Sequence, residues 1–158
     1  MFNIVLFHPE IPHNTGAAGR LAVATESTLH LIKPLGFSLD EKHLRRCGLD
    51  YWQHVHLKLW DSLEELERAA APEAHFWYLS TKATRSIWDA TLPLHAGDYL
   101  VFGPESRGLP ERWITGHPDT ALRIPMPGEH ARSLNLSTSV AIMLYEGLRR
   151  TMNDEAPF

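Results

Sequence analysis

Tyr99-Leu100-Val101-Phe102-Gly103-Pro104-Glu105-Ser106-Arg107-Gly108-Leu109-Pro110 carries the first decision about this chain. A short apolar run of the length of a buried strand turns abruptly into a loop with two glycines and two prolines in the nine residues from Phe102 to Pro110. Proline fixes φ and glycine opens the turn, so the segment reads as a rigid loop and not as a flexible linker. Glu105 and Arg107 are then held at the carboxyl end of a strand, where open α/β sheets bind their ligands. An ordinary strand-to-helix turn with solvated charges would use the same residues.

Working outward, similar apolar runs recur at Asn3–Phe7, Leu29–Ile32, Val55–Trp60, Phe76–Leu79 and Leu122–Ile124, with helix-like or looping segments between them. That rhythm predicts a parallel α/β sheet flanked by helices. Asn14 or Thr15 is expected to cap a first helix running through small residues to Thr25, with Arg20 on its second turn. Asp61 or Ser62 should cap Leu63 to Ala70. In the last helix Leu136, Val140, Met143, Leu144 and Gly147 fall on one face.

Two further segments join the opening one. Pro9-Glu10-Ile11-Pro12-His13-Asn14-Thr15-Gly16-Ala17-Ala18-Gly19-Arg20 passes from a strand end through a proline-stiffened loop into a helix. Gly16 and Gly19 would permit close backbone approach there. A packed helix with Arg20 in a surface ion pair is the competing reading. Ile124-Pro125-Met126 leads through Pro127-Gly128-Glu129-His130-Ala131-Arg132 to Ser133-Leu134-Asn135-Leu136-Ser137-Thr138-Ser139-Val140. Ser133, Asn135, Ser137 and Thr138 place hydroxyl and amide groups beside the free amides of a helix start, which suits small polar ligands. An N-cap at Asn135 or Ser137 would account for one or two of the four.

Composition narrows the class without naming a function. The 158 residues fit one domain, and 44% apolar with 22% charged residues is ordinary for a globular fold. The run Phe2 to Phe7 is too short for a signal-peptide core, and Cys47 alone offers neither an internal disulfide nor a zinc ribbon. A reducing, cytoplasmic setting is expected. A net charge of -4 means that any RNA contact must be a local patch, although 11 of the 15 basic residues are arginine, the side chain suited to phosphate.

Asn14-x-Gly16-x-x-x-Arg20, the Phe102 to Pro110 loop, and Ile124-Pro125-Met126 with Ser133-Leu134-Asn135-Leu136-Ser137 together resemble, in order and spacing, the three motifs of the SPOUT superfamily of RNA methyltransferases. Glu10-Ile11-Pro12 and Arg45-Arg46-Cys47-Gly48-Leu49-Asp50-Tyr51-Trp52 narrow the resemblance to its TrmL/YibK-like branch, the tRNA (cytidine/uridine-34-2'-O)-methyltransferases. The similarity runs from Asn3 to about Arg149. It implies one SPOUT methyltransferase domain over residues 1–158 with a dispensable tail at 153–158, and a deep trefoil knot in its C-terminal part. General rules of topology would never suggest a knot.

The resemblance also implies the chemistry. The cofactor would be S-adenosyl-L-methionine, held by Leu79, Gly103, Ile124 and Ser133. The methyl acceptor would be the ribose 2'-hydroxyl of cytidine 34 or 5-carboxymethylaminomethyluridine 34 in the anticodon loop, chiefly in leucine tRNAs. Arg20, Asn14, Glu105 and Asn135 are the candidate catalytic residues. Free arginine stays protonated to high pH, so Arg20 is expected to position a phosphate or hydroxyl with the other three ordering its surroundings. A homodimer pairing through the first and last helices is implied as well. Methylation of another RNA position, or a non-catalytic RNA-binding role, are the alternatives.

Basic clusters at Lys42, Arg45 and Arg46, at Lys82 and Arg85, and at Arg149 and Arg150 are candidates for the tRNA surface, as are His8, His13 and His130 in loops. His54-x-His56 on a strand would put two rings on one face, but two ligands without a third are poor evidence, so no metal site is expected.

Overall fold

The computed structural model describes residues 1–40 and 50–152. The segment 41–49, with Lys42, Arg45, Arg46 and Cys47, and the tail 153–158 lie outside the described residues.

Seven strands form one parallel sheet: β1 (Asn3–Phe7), β2 (Thr28–Ile32), β3 (Leu57–Trp60), β4 (Phe76–Leu79), β5 (Arg85–Ser86), β6 (Tyr99–Phe102) and β7 (Ala121–Arg123), in the order β3-β2-β1-β6-β4-β7-β5. Strands buried on both faces can be apolar throughout, which is why β1, β4 and β6 begin and end where their apolar runs do. Among the described residues the α-helices are α1 (Pro12–Ala24), α2 (Leu63–Ala69), α3 (Glu111–Thr115) and α4 (Leu136–Thr151).

Strand alternation divides the core in two. Ile4, Leu6, Leu29, Leu31, Leu100 and Phe102 point to the face covered by Ala18 and Ala22 of α1 and by Val140, Met143 and Leu144 of α4. Val5, Phe7, Ile32 and Val101 point to the other face, against Leu63 and Leu66 of α2 and Trp113 of α3. Full burial of each such side chain contributes on the order of 1.5–3 kcal/mol. Gly147 belongs to the buried face of α4 because a Cβ there would lie 2.8 Å from the Phe2 ring.

Helix starts show how local signals were used. Ser62 caps α2 as expected, accepting from the Glu65 amide at 3.1 Å, while the Glu65 carboxylate accepts from the Asp61 amide at 2.9 Å. Helix α1 differs from its expected start at Asn14 or Thr15. It begins at Pro12 with Ile11 in the cap position, and no side chain there caps it. Proline suits the first helical position because the amide it lacks has no partner there anyway. Arg20 therefore sits on the third turn, not the second. His54 and His56 also depart from expectation: β3 starts only at Leu57, and Asp50–His54 form a short 3-10 turn. The ring pair on a strand face does not exist.

The order of the last strands matters for the site. Strand β7 lies between β4 and β5, and both Leu79 and Arg85 register against Leu122. Residues 80–84 therefore carry the chain from one side of β7 to the other, leaving and returning at the same level.

Candidate active site at the carboxyl ends of three strands

A cavity of about 490 Å³ opens beyond the carboxyl ends of β4, β6 and β7. Leu79, Gly103, Ile124, Ser133, Asn14, Glu105 and Asn135 all line it. Three segments distant in sequence converge here because their strands are neighbours in the sheet. Phe102, Leu109 and Leu136 supply apolar wall, and Ser80, Lys82, Arg107 and Ser139 supply polar rim. Enclosed volume with a few placed polar groups is the usual character of a small-ligand site.

One hydrogen-bonded chain ties the segments together. Glu105 accepts from the Glu10 amide at 2.8 Å, the Ile11 amide at 3.0 Å and the Asn14 side-chain amide at 3.2 Å. Asn14 Oδ1 accepts in turn from Asn135 Nδ2 at 3.1 Å. Asn135 Oδ1 accepts from the Ser137 and Thr138 amides and from the Ser137 hydroxyl at 2.6 Å, capping α4. An ionised carboxylate can only accept, so it fixes which way both asparagine amides point. Glu105 also places its negative charge at the amino end of α1, where no local side chain caps the helix.

The loop after β6 owes its shape to its glycines. A Cβ on Gly103 would lie 2.1 Å from the Leu109 nitrogen and 2.3 Å from the Gly108 carbonyl carbon, so the loop closes on itself at this point. Gly108 has φ +69, the left-handed region. The Gly108 amide donates to the Pro104 carbonyl at 2.9 Å. Gly103 is thus required by the backbone of its own loop, and through it the cavity keeps its wall.

Arg20 stands apart from these seven residues. It does not line the main cavity but a shallower hollow with His13, Ala17, Leu21, Tyr51, Ser137, Thr138 and Ala141. Its guanidinium carbon sits 4.7 Å from the centre of the Tyr51 ring, and the Tyr51 hydroxyl donates to the Gly16 carbonyl at 2.8 Å. Among the described residues Arg20 forms no ion pair, so the surface salt bridge considered for it is not present. The hollow and the cavity share the first turns of α1 and α4.

Gly16 and Gly19 permit close approach to the backbone, here by Tyr51 and Trp52. A Cβ at Gly19 would meet Trp52 at 2.6 Å. The small residues of α1 let Tyr51 and Trp52 pack against the helix, and Tyr51 in turn supports Arg20. Its part was not recognised in the sequence, where it stood only within a branch-specific segment.

Several of the arginines expected at the RNA surface are ion-paired within the fold. Arg149 and Arg150 both pair with Glu146, at 2.9 and 2.6 Å, and Arg150 also donates to the Ile87 carbonyl. Arg149 leads in holding the Glu146 carboxyl below its ordinary range. Arg85 pairs with Asp89 at 2.8 Å and donates to the Asp119 carbonyl. The bonds from Thr91 and Arg85 hold the Asp89 carboxyl down at about 2. Lys82 and Arg107 remain on the cavity rim. His13 lines the hollow beside Arg20, and His130 is exposed. His8 stacks on Phe7 at 3.8 Å, and burial followed by the nearby Arg107 charge lowers its pKa, favouring the neutral ring.

Comparison with known proteins places this geometry. The profile of the SpoU rRNA Methylase family matches residues 1–145. A tRNA (cytidine(34)-2'-O)-methyltransferase of Saccharophagus degradans is 50% identical over 157 residues, covering 95% of this chain and 96% of that protein. A solved structure concerned with the 2-OH methylation of C/U34 on tRNA superposes with a TM-score of 0.86 at 46% identity, over 95% of each chain. The SpoU methyltransferase AviRb of Streptomyces viridochromogenes, solved with AdoMet, shares the fold at a TM-score of 0.76 and 23% identity, over 94% of this chain and 59% of that one.

Proposed function

The chain belongs to the SpoU rRNA methylase family, and from that membership we propose that it transfers the methyl group of S-adenosylmethionine to the ribose 2'-hydroxyl of nucleotide 34 in tRNA. The observation that carries the reading is the convergence of Leu79, Gly103, Ile124, Ser133, Asn14, Glu105 and Asn135 on one cavity. Its size lies within the range of about 300–1,000 Å³ usual for cofactor and ligand sites.

The residues fit the cofactor. Leu79, Phe102, Leu109 and Ile124 offer an apolar enclosure for an adenine, and Ser133, Ser139 and the cationic rim of Lys82 and Arg107 suit the hydroxyl and carboxylate groups of the rest. The bound cofactor supplies an electrophilic methyl on sulfonium. Everything else asked of the protein is positioning, which can contribute as much as about 7–11 kcal/mol when reacting atoms are held in line. In this reading Arg20, steadied over Tyr51, anchors a phosphate or ribose oxygen of the RNA at the hollow. Asn14, Glu105 and Asn135 keep the shared first turns of α1 and α4 in register, so that hollow and cavity face the same nucleotide.

The finer parts of the proposal have separate supports. A knot is favoured by residues 80–84 passing around β7 before the chain continues to α4. Pairing of two subunits through α1 and α4 is favoured by exposed Ile11 at the cap of α1 and exposed Tyr145 on α4, 45% and 54% accessible. Light scattering tests it: a mass of one chain at working concentrations removes it. The proposal extends to one catalytic domain acting in the cytoplasm, mainly on leucine tRNAs. No helix among the described residues is long and apolar enough to cross a membrane.

Nucleoside mapping by mass spectrometry in tRNA from a deletion strain tests the function. Loss of the 2'-O-methyl at nucleotide 34, restored by the parent gene but not by an Arg20→Ala variant, supports it. An unchanged nucleotide 34 sinks it.

A further inference from the structure

At the amino ends of β4 and β6, opposite the strand ends that open on the cavity, His75, His95 and Asp98 bring candidate ligand atoms within 4.8 Å of one another. His75 precedes β4 and Asp98 precedes β6, whose first residues Phe76 and Tyr99 pair. Asp98 is buried, 1% exposed. Its carboxylate accepts from the His75 amide at 3.0 Å, the His95 amide at 2.9 Å and the Trp77 indole at 2.9 Å, all neutral donors. Among the described residues no lysine or arginine pairs with it. A buried carboxylate held by neutral donors alone leaves a negative charge that burial penalises.

The remaining neighbour is the imidazole of His75, whose Nδ1 lies 3.4 Å from Asp98 Oδ1. That is beyond the usual N–H···O range of about 2.7–3.2 Å. It matches the edge of a tetrahedron built on metal–ligand bonds of about 2.1 Å. The His95 ring lies against that of His75, centroids 5.8 Å apart and planes 28° apart, and its exposed side chain can turn without disturbing the core.

We propose that Asp98, His75 and His95 form a site for one divalent transition metal of the zinc class, with a fourth position open to water. Two imidazoles and a carboxylate suit zinc, nickel or copper, whereas magnesium and calcium take oxygen shells of six or more. The ion would balance the Asp98 charge and join the loops that enter β4 and β6. Bound only by the folded chain, it would raise stability by mass action without entering methyl transfer.

Calorimetric titration of the full chain with zinc chloride, in a buffer that does not chelate, tests the site. One zinc per chain is expected, with a rise in melting temperature, and cobalt(II) in its place should give the visible absorption of four-coordinate geometry. Replacing partners that only orient ligands costs metal sites about 10- to 100-fold, so His75→Ala and His95→Ala should each weaken zinc by more than about tenfold. Both side chains are exposed, so both variants should fold, which a melt without zinc verifies. A His54→Ala/His56→Ala variant should bind as the parent does. The proposal is overturned by the absence of saturable binding up to about 1 mM, by undiminished binding in both single variants, or by loss confined to the His54/His56 variant.

Discussion

Asn135 Nδ2 donates to Asn14 Oδ1 across 3.1 Å, joining the start of the last helix to the first turn of the first. Asn135 is also the cap of α4, so one side chain holds a helix end with its oxygen and a distant segment with its nitrogen. An aspartate at this position would keep the first role and lose the second, because a carboxylate has no hydrogen to give Asn14. Asn135→Asp is therefore expected to lower single-turnover methyl transfer by about tenfold or more, equivalent to about 1.4 kcal/mol, while the α4 cap persists. Asn135→Ala should additionally lose about 1 kcal/mol of stability with the cap. Equal transfer rates in Asn135→Asp and the parent would show that the link to Asn14 does not serve the reaction.

Arg20 separates chemistry from cofactor binding. Because it lies outside the main cavity, Arg20→Ala should leave affinity for S-adenosylhomocysteine nearly unchanged and slow transfer to saturating tRNA about a hundredfold, or roughly 3 kcal/mol. Arg20→Lys should recover little, since an ammonium lacks the planar fork. Transfer at the parent rate by Arg20→Ala would assign the anchoring to another group.

Tyr51 is the support for Arg20 and is expected to act through it. Tyr51→Phe keeps the ring under the guanidinium but drops the bond to the Gly16 carbonyl, and Tyr51→Leu drops both. The leucine variant should lose more transfer rate than the phenylalanine variant, with cofactor affinity unchanged in each; a cation over a ring near the surface contributes about 0.5–1 kcal/mol. Restoring Tyr51 in an Arg20→Ala background should bring no gain, which a double-mutant cycle reads directly.

Gly103→Ala puts a methyl group where the backbone of Gly108 and Leu109 already lies. The loop must move, at a cost of about 1–3 kcal/mol or more, and the cavity wall moves with it. Calorimetry should find S-adenosylhomocysteine binding weakened along with a lower melting temperature. Unaltered affinity and stability would mean that the loop yields freely.

His30 predicts a pH dependence of stability. Its Nδ1 accepts from the Trp60 indole at 3.0 Å, so its Nε2 carries the hydrogen and faces Asn3 Oδ1 at 3.0 Å. Burial, aided by the Lys58 charge, lowers its pKa from 6.5 to about 4. The unfolded chain binds this proton more readily. The contribution of neutral His30 is therefore complete above about pH 6.5 and is lost as pH falls towards 4, a change of order 3 kcal/mol. Urea midpoints of the parent should fall over that interval more steeply than those of His30→Asn; parallel curves would remove His30 as the cause.

How much of this the sequence carried depended on whether the cause was local. The central strands β1, β4 and β6 announce themselves because burial on both faces makes them apolar without interruption. The start of α1 was misplaced because Glu105, far along the chain, takes the place of a local cap. The convergence on one cavity followed from motif order, yet Arg20's separate hollow did not, since it depends on Tyr51 packing against Gly16. The trio of His75, His95 and Asp98 has no motif spacing at all; only the pairing of β4 with β6 brings it together.

The central position of β1 has a consequence for synthesis of the protein. Its residue Asn3 pairs on one side with Thr28 and on the other with Tyr99. As the chain leaves the ribosome, β1 and β2 can meet early, but the other edge of β1, fully apolar from Ile4 to Phe7, waits until β6 has been made. An unpaired apolar edge is a template for association with other chains. Slow translation between these two strands is expected to lower soluble yield, and a chaperone that shelters short extended segments should matter most in that interval.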